Sequence, residues 1–365
     1  MDWLDASMRK NLVIEKVSPN DIDEVVGILD GVDRESSSLE CGYYTDTRTS
    51  GTLRVVGDSW QRNVFLRPVL ELPDMGLRRE LGTYLVWDDG GTRDMNTWTY
   101  SLELHSLLYG LSTEVSGSPW TIATNAKALT AIDQMLNRCG RPHNLIGAND
   151  FAFKSAKVLE ADKSWLSRLY ALCDVSNNRL DIDGHGRVTV SSYVLPSAKT
   201  PILTIDVSDP QGVVQSLSRS SSALSMAGQV VVYCKYTETS NGKTEEREIV
   251  GRANATGDSS RAVRGFMVTD FREIQDLSPR TVARANQLAA QYLQRATTEL
   301  VEWNVKTPYL PLWEGDVVSL VVHDGLGGYQ GERRCLVKSI SLDLLHLEMS
   351  LTLKEVASGD WEEGA

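Results

Sequence analysis

The sequence predicts a mainly β protein with α+β insertions, and three observations carry that prediction. Short runs that alternate in polarity, or are rich in β-branched and aromatic residues, fill the chain up to Thr113 and return from near Ile202, with Gly, Asp, Asn and Pro between them. Three stretches of three-and-four apolar spacing mark helices beyond the first of these regions. The order of β, α+β insert, and β with an intervening helix gives the chain a two-fold look at coarse grain.

The first β region offers segments at Leu12–Val17, Val25–Leu29, Ser38–Tyr44, Thr52–Val56, Phe65–Leu72, Gly82–Trp87 and Thr97–His105. A small antiparallel barrel or sandwich over residues 1–113 fits them. Trp87-Asp88-Asp89-Gly90-Gly91 reads as a hairpin turn, because Asp-Gly and Gly-Gly supply the positive φ of tight reversals. At Ser116-Gly117-Ser118-Pro119 a serine cap and a proline at the first helical position predict a helix that runs through Ile122, Ala126, Leu129, Ile132 or Asp133, and Leu136 to a stop at Gly140. A shorter helix follows over Lys163–Cys173, with Trp165, Leu166, Leu169 and Leu172 on one side. The run Arg179–Val190 alternates about a glycine-rich tip and reads as a β-hairpin. Residues 114–201 thus form an α+β insert.

The second β region starts near Ile202 and includes the β-branched run Gln229–Tyr236. Asn241-Gly242-Lys243 is a turn signal, and Glu245–Val250 a polar returning strand. Ser278-Pro279 opens the longest helix, to about Thr298, with Val282, Ala285, Leu288 or Ala289, Tyr292 and Ala296 as its buried stripe. Strands follow at Leu300–Lys306, Gly315–Val322, Arg334–Leu344 and His346–Lys354. Ser216–Leu224 and Gly257–Arg261 read as polar linkers, and residues 357–365 as a flexible acidic tail.

Size and charge narrow the function classes. With domains of roughly 100 to 150 residues, a chain of 365 is expected to hold two to four units. The net charge of −12 argues against wrapping nucleic acid, which needs concentrated Lys and Arg, but it suits a passage whose wall a polyanion does not stick to. No apolar run approaches the ~20 residues of a membrane span, and Met1–Asp5 lacks the pattern of a secretory signal, so synthesis in the cytoplasm is expected. Cys41, Cys139, Cys173, Cys234 and Cys335 form no CxxC pair and read as free thiols.

No catalytic constellation emerges. Gly-x-Ser-x-Gly, P-loop, Gly-x-Gly-x-x-Gly and His-Glu-x-x-His motifs are all missing. Asp181, Asp183 and His185 have the spacing of a one-sided strand set, yet they straddle the Gly184–Gly186 tip, where polar residues are expected on a turn. Asp88-Asp89 pairs two carboxylates beside Gly90-Gly91, and Gly325–Tyr329 joins two strands with no helix after it to hold a phosphate. No catalytic residue, cofactor or metal is expected. The chain is predicted not to be an enzyme.

The strands Phe65–Leu72, Leu81–Val86 and Trp98–His105, the late helix ahead of Pro311–Val318, and the closing Leu347–Lys354 together resemble the central baseplate hub proteins of phage tails and related injection machines. The resemblance lies in the order of elements and spans most of the chain. It implies two small tube-type β-barrel domains, at 1–113 and at 202–236 plus 300–356, around inserted domains at 114–201 and 237–299. It also implies a homotrimer whose six barrels make a pseudo-sixfold ring between the tail tube, or a distal tail protein ring, and the tip. A ring of this kind closes open sheet edges against neighbouring copies. Candidate subunit contacts on these strands are Arg67, Val69, Glu71, Val317, Ser319, Ser350 and Thr352. Further implied partners are a separate tip or spike protein, to which Trp361 would be a contact, a tape-measure protein, and DNA passing without sequence-specific binding, all in the virion tail. The alternative reading is a tail-tip adhesin or carbohydrate-binding module, from nine tryptophans and twelve tyrosines suited to stacking on sugars. A wall-degrading hydrolase with dispersed carboxylates is a third.

Overall fold

A computed structural model describes residues 10–57, 60, 62–153, 156–207, 214–221, 227–240, 243–256, 260–273, 281–296, 301–326 and 329–356. The expectations for Met1–Asp5, Ser222–Leu224, Asn241-Gly242, Gly257–Ser259, Ser278-Pro279, Gly327-Gly328, Trp361 and the acidic tail lie outside the described residues. The chain is mainly β. It divides into one unit of residues 1–217, 304–353 and 362–365, and a second of residues 218–303 and 354–361.

The first β region supplies β1 (Asn11–Val17), β2 (Val25–Ile28), β3 (Val32–Gly42), β4 (Thr49–Val56), β5 (Phe65–Leu72), β6 (Leu77–Glu80), β7 (Tyr84–Asp94) and β8 (Thr97–Ser106). All pair antiparallel, in the order β3-β4-β8-β7-β5-β1-β2, with β6 beside β5. Alternation puts Leu12 and Ile14, Leu53 and Val55, and Leu102 and Leu104 into the core. The predicted turn at Trp87–Gly91 is not there. β7 runs through it with a register shift at Val86/Asp88, and the reversal falls after Asp94, where Met95 has φ 51°. The glycine serves packing instead: a Cβ at Gly91 would stand 3.1 Å from the Tyr100 ring, which stacks on Trp98 at 5.9 Å.

The insert comprises α1 (Leu107–Thr113), β9 (Trp120–Ile122), α2 (Ala128–Arg138), β10 (His143–Ile146), β11 (Lys157–Leu159), α3 (Trp165–Val175), β12 (Asn178–Ile182) and β13 (Val188–Ser192). The helix expected from Ser116 begins only at Ala128. Trp120–Ile122 pairs with β11 as a strand, Asn125 turns left-handed at φ 66°, and the helix start is held by Ala128 N–H to Phe151 O (2.9 Å) and Leu129 N–H to Asp150 Oδ1 (3.2 Å). Gly140 ends it at φ 62°, as read. α3 has the Ser164 cap, whose hydroxyl accepts from Ser167 N–H at 3.2 Å. Ile132, Met135 and Leu136 of α2 pack with Leu166, Leu169 and Leu172 of α3 and with Leu107, Leu108 and Leu111 of α1, a helix the sequence reading had as the end of the β region. Full burial of each such side chain stabilises by roughly 1.5–3 kcal/mol. The β12–β13 hairpin forms as expected, and β10 adds parallel to β13.

Beyond it come β14 (Thr204–Asp206) and β15 (Ser216–Ser221), the latter a strand where a linker was expected. Then follow β16 (Gln229–Ser240), β17 (Lys243–Asn254), α4 (Arg261–Arg264), β18 (Thr269–Glu273) and α5 (Val282–Ala296). The boundary expected at Tyr236 is corrected here: β16 pairs β17 in register from Gln229↔Asn254 to Ser240↔Lys243 and lies parallel to β18. The run Gln229–Tyr236 is therefore the centre of the second unit's own three-stranded sheet, not a barrel strand. On it packs α5 through Ala285, Ala289 and Leu293, with Leu288 and Tyr292 half-buried, whereas Val282 is exposed. A Cβ on Gly251 would come within 2.2 Å of the Ala285 backbone, so the close approach of helix to strand requires glycine. Gly251→Ala is expected to destabilise the second unit by about 1–3 kcal/mol through forced separation of α5 and β17. Faster amide hydrogen exchange across β16–β18, with the first unit's exchange unchanged, is the measurement that checks it.

The chain closes with β19 (Val301–Pro308), β20 (Val317–Leu326), β21 (Tyr329–Asp343) and β22 (Glu348–Glu355). These continue the first sheet, which runs β15-β19-β22-β21-β3-β4-β8-β7-β5-β1-β2, with β20 and β14 branching from β21. The strands expected for two barrels are thus members of one sheet, stitched by β21 to β3 from Ser339↔Gly42 to Asp343↔Ser38. Among the described residues no helix is long and apolar enough to cross a membrane.

Candidate functional site

The tip of the β12–β13 hairpin reaches into the first β region and is held there by two polar junctions. The first centres on Arg67 of β5. β5 is flanked by β1 on one side and by β6 and β7 on the other, its residues Leu66–Leu70 are buried, and Arg67 is 2% exposed. Its Nε donates to Thr83 Oγ1 at 2.9 Å, and Nη2 donates to Ile22 O at 2.6 Å and His185 O at 3.0 Å. Thr83 Oγ1 donates in turn to Gly184 O at 3.1 Å. A Cβ on Gly184 would lie 2.7 Å from Glu80 O, so the tip needs its glycine to come this close. Arg187 adds two bonds to the Asp23 carboxylate, at 2.6 and 2.7 Å.

The second junction is more deeply charged. Arg48, in the turn between β3 and β4, donates to Tyr43 O and, at 3.0 Å, to Leu180 O, and pairs with Asp181 Oδ1 at 3.3 Å. Arg179 pairs with the other Asp181 oxygen and lies 4.1 Å over the Tyr43 ring. Burial opposes the Arg179 charge, yet Asp181 holds it above its ordinary range. Glu314, just ahead of β20, is 3% exposed with no hydrogen bond to either carboxylate oxygen. Burial, then the Asp181 charge, push its carboxyl up to about 8. Gly315 is left-handed at φ 83°, and a Cβ there would meet Arg179 Nη1 at 2.6 Å and the Tyr43 ring at 2.7 Å.

Asp181, Asp183 and His185 therefore have three separate tasks. Asp181 neutralises two arginines, Asp183 Oδ1 accepts the Arg187 N–H at 2.8 Å across the turn, and His185 faces Glu80 at 3.7 Å. Among the described residues no three His, Cys, Asp or Glu side chains form a metal-binding group. Asp89 likewise accepts from Trp60 Nε1 at 3.0 Å and pairs with Arg62 at 2.6 Å. Those bonds hold its carboxyl below the usual range.

The candidate subunit contacts divide by burial. Arg67, Val69, Val317 and Ser319 are at most 3% exposed and point into the chain's own interior; Ser319 donates to Glu332 Oε1 at 2.5 Å. Since an inward side chain has no surface to offer, these four are corrected to internal roles. Glu71 is half-buried, Ser350 is exposed, and Thr352 donates to Asn304 Oδ1 at 3.2 Å. The surface the sequence reading missed is β2, where the sheet ends. Val25, Val26 and Ile28 are 44%, 51% and 54% exposed there. Three exposed β-branched residues in four on a possible edge were the available signal.

No family model matches the chain, and no curated protein sequence does. Solved structures do. A tail protein from Neisseria meningitidis MC58 is similar with a TM-score of 0.63 at 10% identity, over 94% of this chain and 97% of that one. The 43 kDa tail protein of prophage MuSo2 from Shewanella oneidensis gives 0.62 at 14% identity, over 94% and 98%. An E. coli component of the type VI secretion system, described as structurally similar to T4 bacteriophage tail proteins gp27 and gp5, gives 0.51 at 9% identity, over 98% and 78%. The chain has the fold of these tail proteins. The chain is mainly β with α insertions, as the resemblance to baseplate hub proteins implied.

Proposed function

We propose that this chain is a structural hub subunit at the tip of a phage or phage-like tail, and that three copies form a pseudo-sixfold ring joining the tail tube to the tip. The observation that carries the reading is the end of the long sheet at β2, beyond which no further strand lies among the described residues and where Val25, Val26 and Ile28 stand exposed. A lone molecule with such an edge is an aggregation hazard, and pairing with a neighbouring copy removes it. The tail-protein fold over nearly the full length of the chain supports the same reading. Glu71, Ser350 and Thr352 remain rim candidates. In this reading the net charge of −12 keeps the ring's passage from retaining DNA, the tip or spike protein and the tape-measure protein are separate chains, and the work is assembly without catalysis in the virion tail.

The expected mass in solution by light scattering is that of a trimer. Val26→Lys, which puts a charge on the edge without touching the core, is expected to shift the protein toward monomer with its thermal melting unchanged. A wild-type protein that stays monomeric at every concentration, and in the presence of its tail tube, overturns the proposal.

A further inference from the structure

A cleft of ≈ 380 Å³ opens between β6 and the tip of the β12–β13 hairpin, with Trp313 in its wall. The volume lies in the range of small-molecule sites, about 300–1,000 Å³. What distinguishes it is which polar groups are already used. Around it Arg67, Arg78, Arg48, Arg179 and Arg187 all have partners, Arg78 on Glu15 at 2.8 Å. The Arg79 side chain, in the cleft, makes no hydrogen bond or ion pair within 4 Å with any described residue, although its charge is felt at Tyr309 and Asp316. Asp183 spends one oxygen on the Arg187 N–H and keeps the other. His185 Nδ1 is buried without a hydrogen-bond partner. The Trp313 indole is half-buried, with its backbone N–H fixed on Asp316 at 2.7 Å.

Each of these groups restricts the ligand. A half-buried indole suits a flat ligand face that is apolar at its centre and polar at its rim, as a pyranose ring is. A partnerless guanidinium suits a carboxylate, which it binds through two parallel bonds. An acceptor on Asp183 and the 41% exposed imidazole of His185 suit hydroxyls. A phosphate dianion would face the Glu80 and Asp183 carboxylates at the same rim, whereas one carboxylate on Arg79 meets less repulsion. The walls are fixed in advance by the Arg67 junction, so binding orders little protein.

We propose that this cleft binds a carboxylate-bearing saccharide of one or two rings, with Trp313 stacking on the sugar, Arg79 taking the carboxylate, and Asp183 and His185 taking hydroxyls. The proposal does not depend on the hub reading, since the cleft is complete within one chain. The test is saturation-transfer NMR and calorimetric titration of the full chain with glucuronic acid, glucose, AMP and a glutamate-containing tripeptide. Glucuronic acid is expected to bind about 10-fold tighter than glucose, the size of one charge-assisted contact. Arg79→Gln is expected to bring that ratio to about 1, and Trp313→Ala to abolish binding of both sugars. Should Trp313→Ala fail to fold, Asp183→Asn, checked by its melting curve, is expected to weaken both sugars alike. Absence of saturable sugar binding, sugar binding that Arg79→Gln and Asp183→Asn leave untouched, or binding of AMP or the tripeptide without sugar overturns the proposal. None of these results changes the expected trimer mass.

Discussion

Arg67→Met is expected to lower the stability of the first unit by about 3–5 kcal/mol, because it strips three hydrogen bonds from oxygens that stay buried. Methionine fills much of the same volume, so the loss measures polar satisfaction and not a cavity. Ile22 O, His185 O and Thr83 Oγ1 are the partners left behind. Arg67→Lys should recover part of the loss, since an ammonium carries the charge but not the planar fork that spans three acceptors. Urea denaturation measures the effect, and amide exchange at 183–187 locates it. A change under about 1 kcal/mol with unaltered exchange at the tip would refute the latch.

Stability is expected to fall as pH rises from about 4.5 to about 8, with Glu314 as the principal cause. Its folded carboxyl titrates near 8 against an ordinary 4.5, so between those values the folded chain holds a proton that the unfolded chain has released. Proton uptake on folding makes stability decline with pH, and the decline stops once both states are ionised. A shift of this size corresponds to about 4–5 kcal/mol, fully expressed above the folded value. Glu314→Gln keeps the shape and removes the titration. The variant should match the natural protein near pH 5 and exceed it by several kcal/mol near pH 9, on the same scale. Equal pH slopes for the two proteins in urea melts would sink this account.

How far the sequence foretold the structure follows from how local each cause is. β1, β5, β8, α3 and the β12–β13 hairpin were legible because their alternation or their caps lie within the segment itself. The start of α2 was not, since its cap is Asp150, far along the chain, and the strand at Trp120 exists because β11 pairs with it. Gly90-Gly91 carried a strong turn signal that packing overrode: the glycine makes room for the Tyr100 ring. Of the site, Asp183 and His185 fall on the turn as expected while Asp181 lies within β12, and nothing near Arg67 or Glu314 in the sequence announces a buried charge. Arg67 sits in a largely apolar strand, and its partners come from three distant segments. Glu314 precedes a Gly-Asp-Val strand entry that is common to many β domains, and its neutral state depends on burial and on the Asp181 charge, with Arg179 opposing them.

The seam between β21 and β3 also sets how the molecule answers to force. Between Ser339↔Gly42 and Asp343↔Ser38 the two halves of the long sheet are fastened by backbone hydrogen bonds that run across the strands. Tension directed along those strands must shear all of these bonds at once, whereas tension at right angles unzips them one after another. The molecule is therefore a stiff body along one axis and a tearable one along the other.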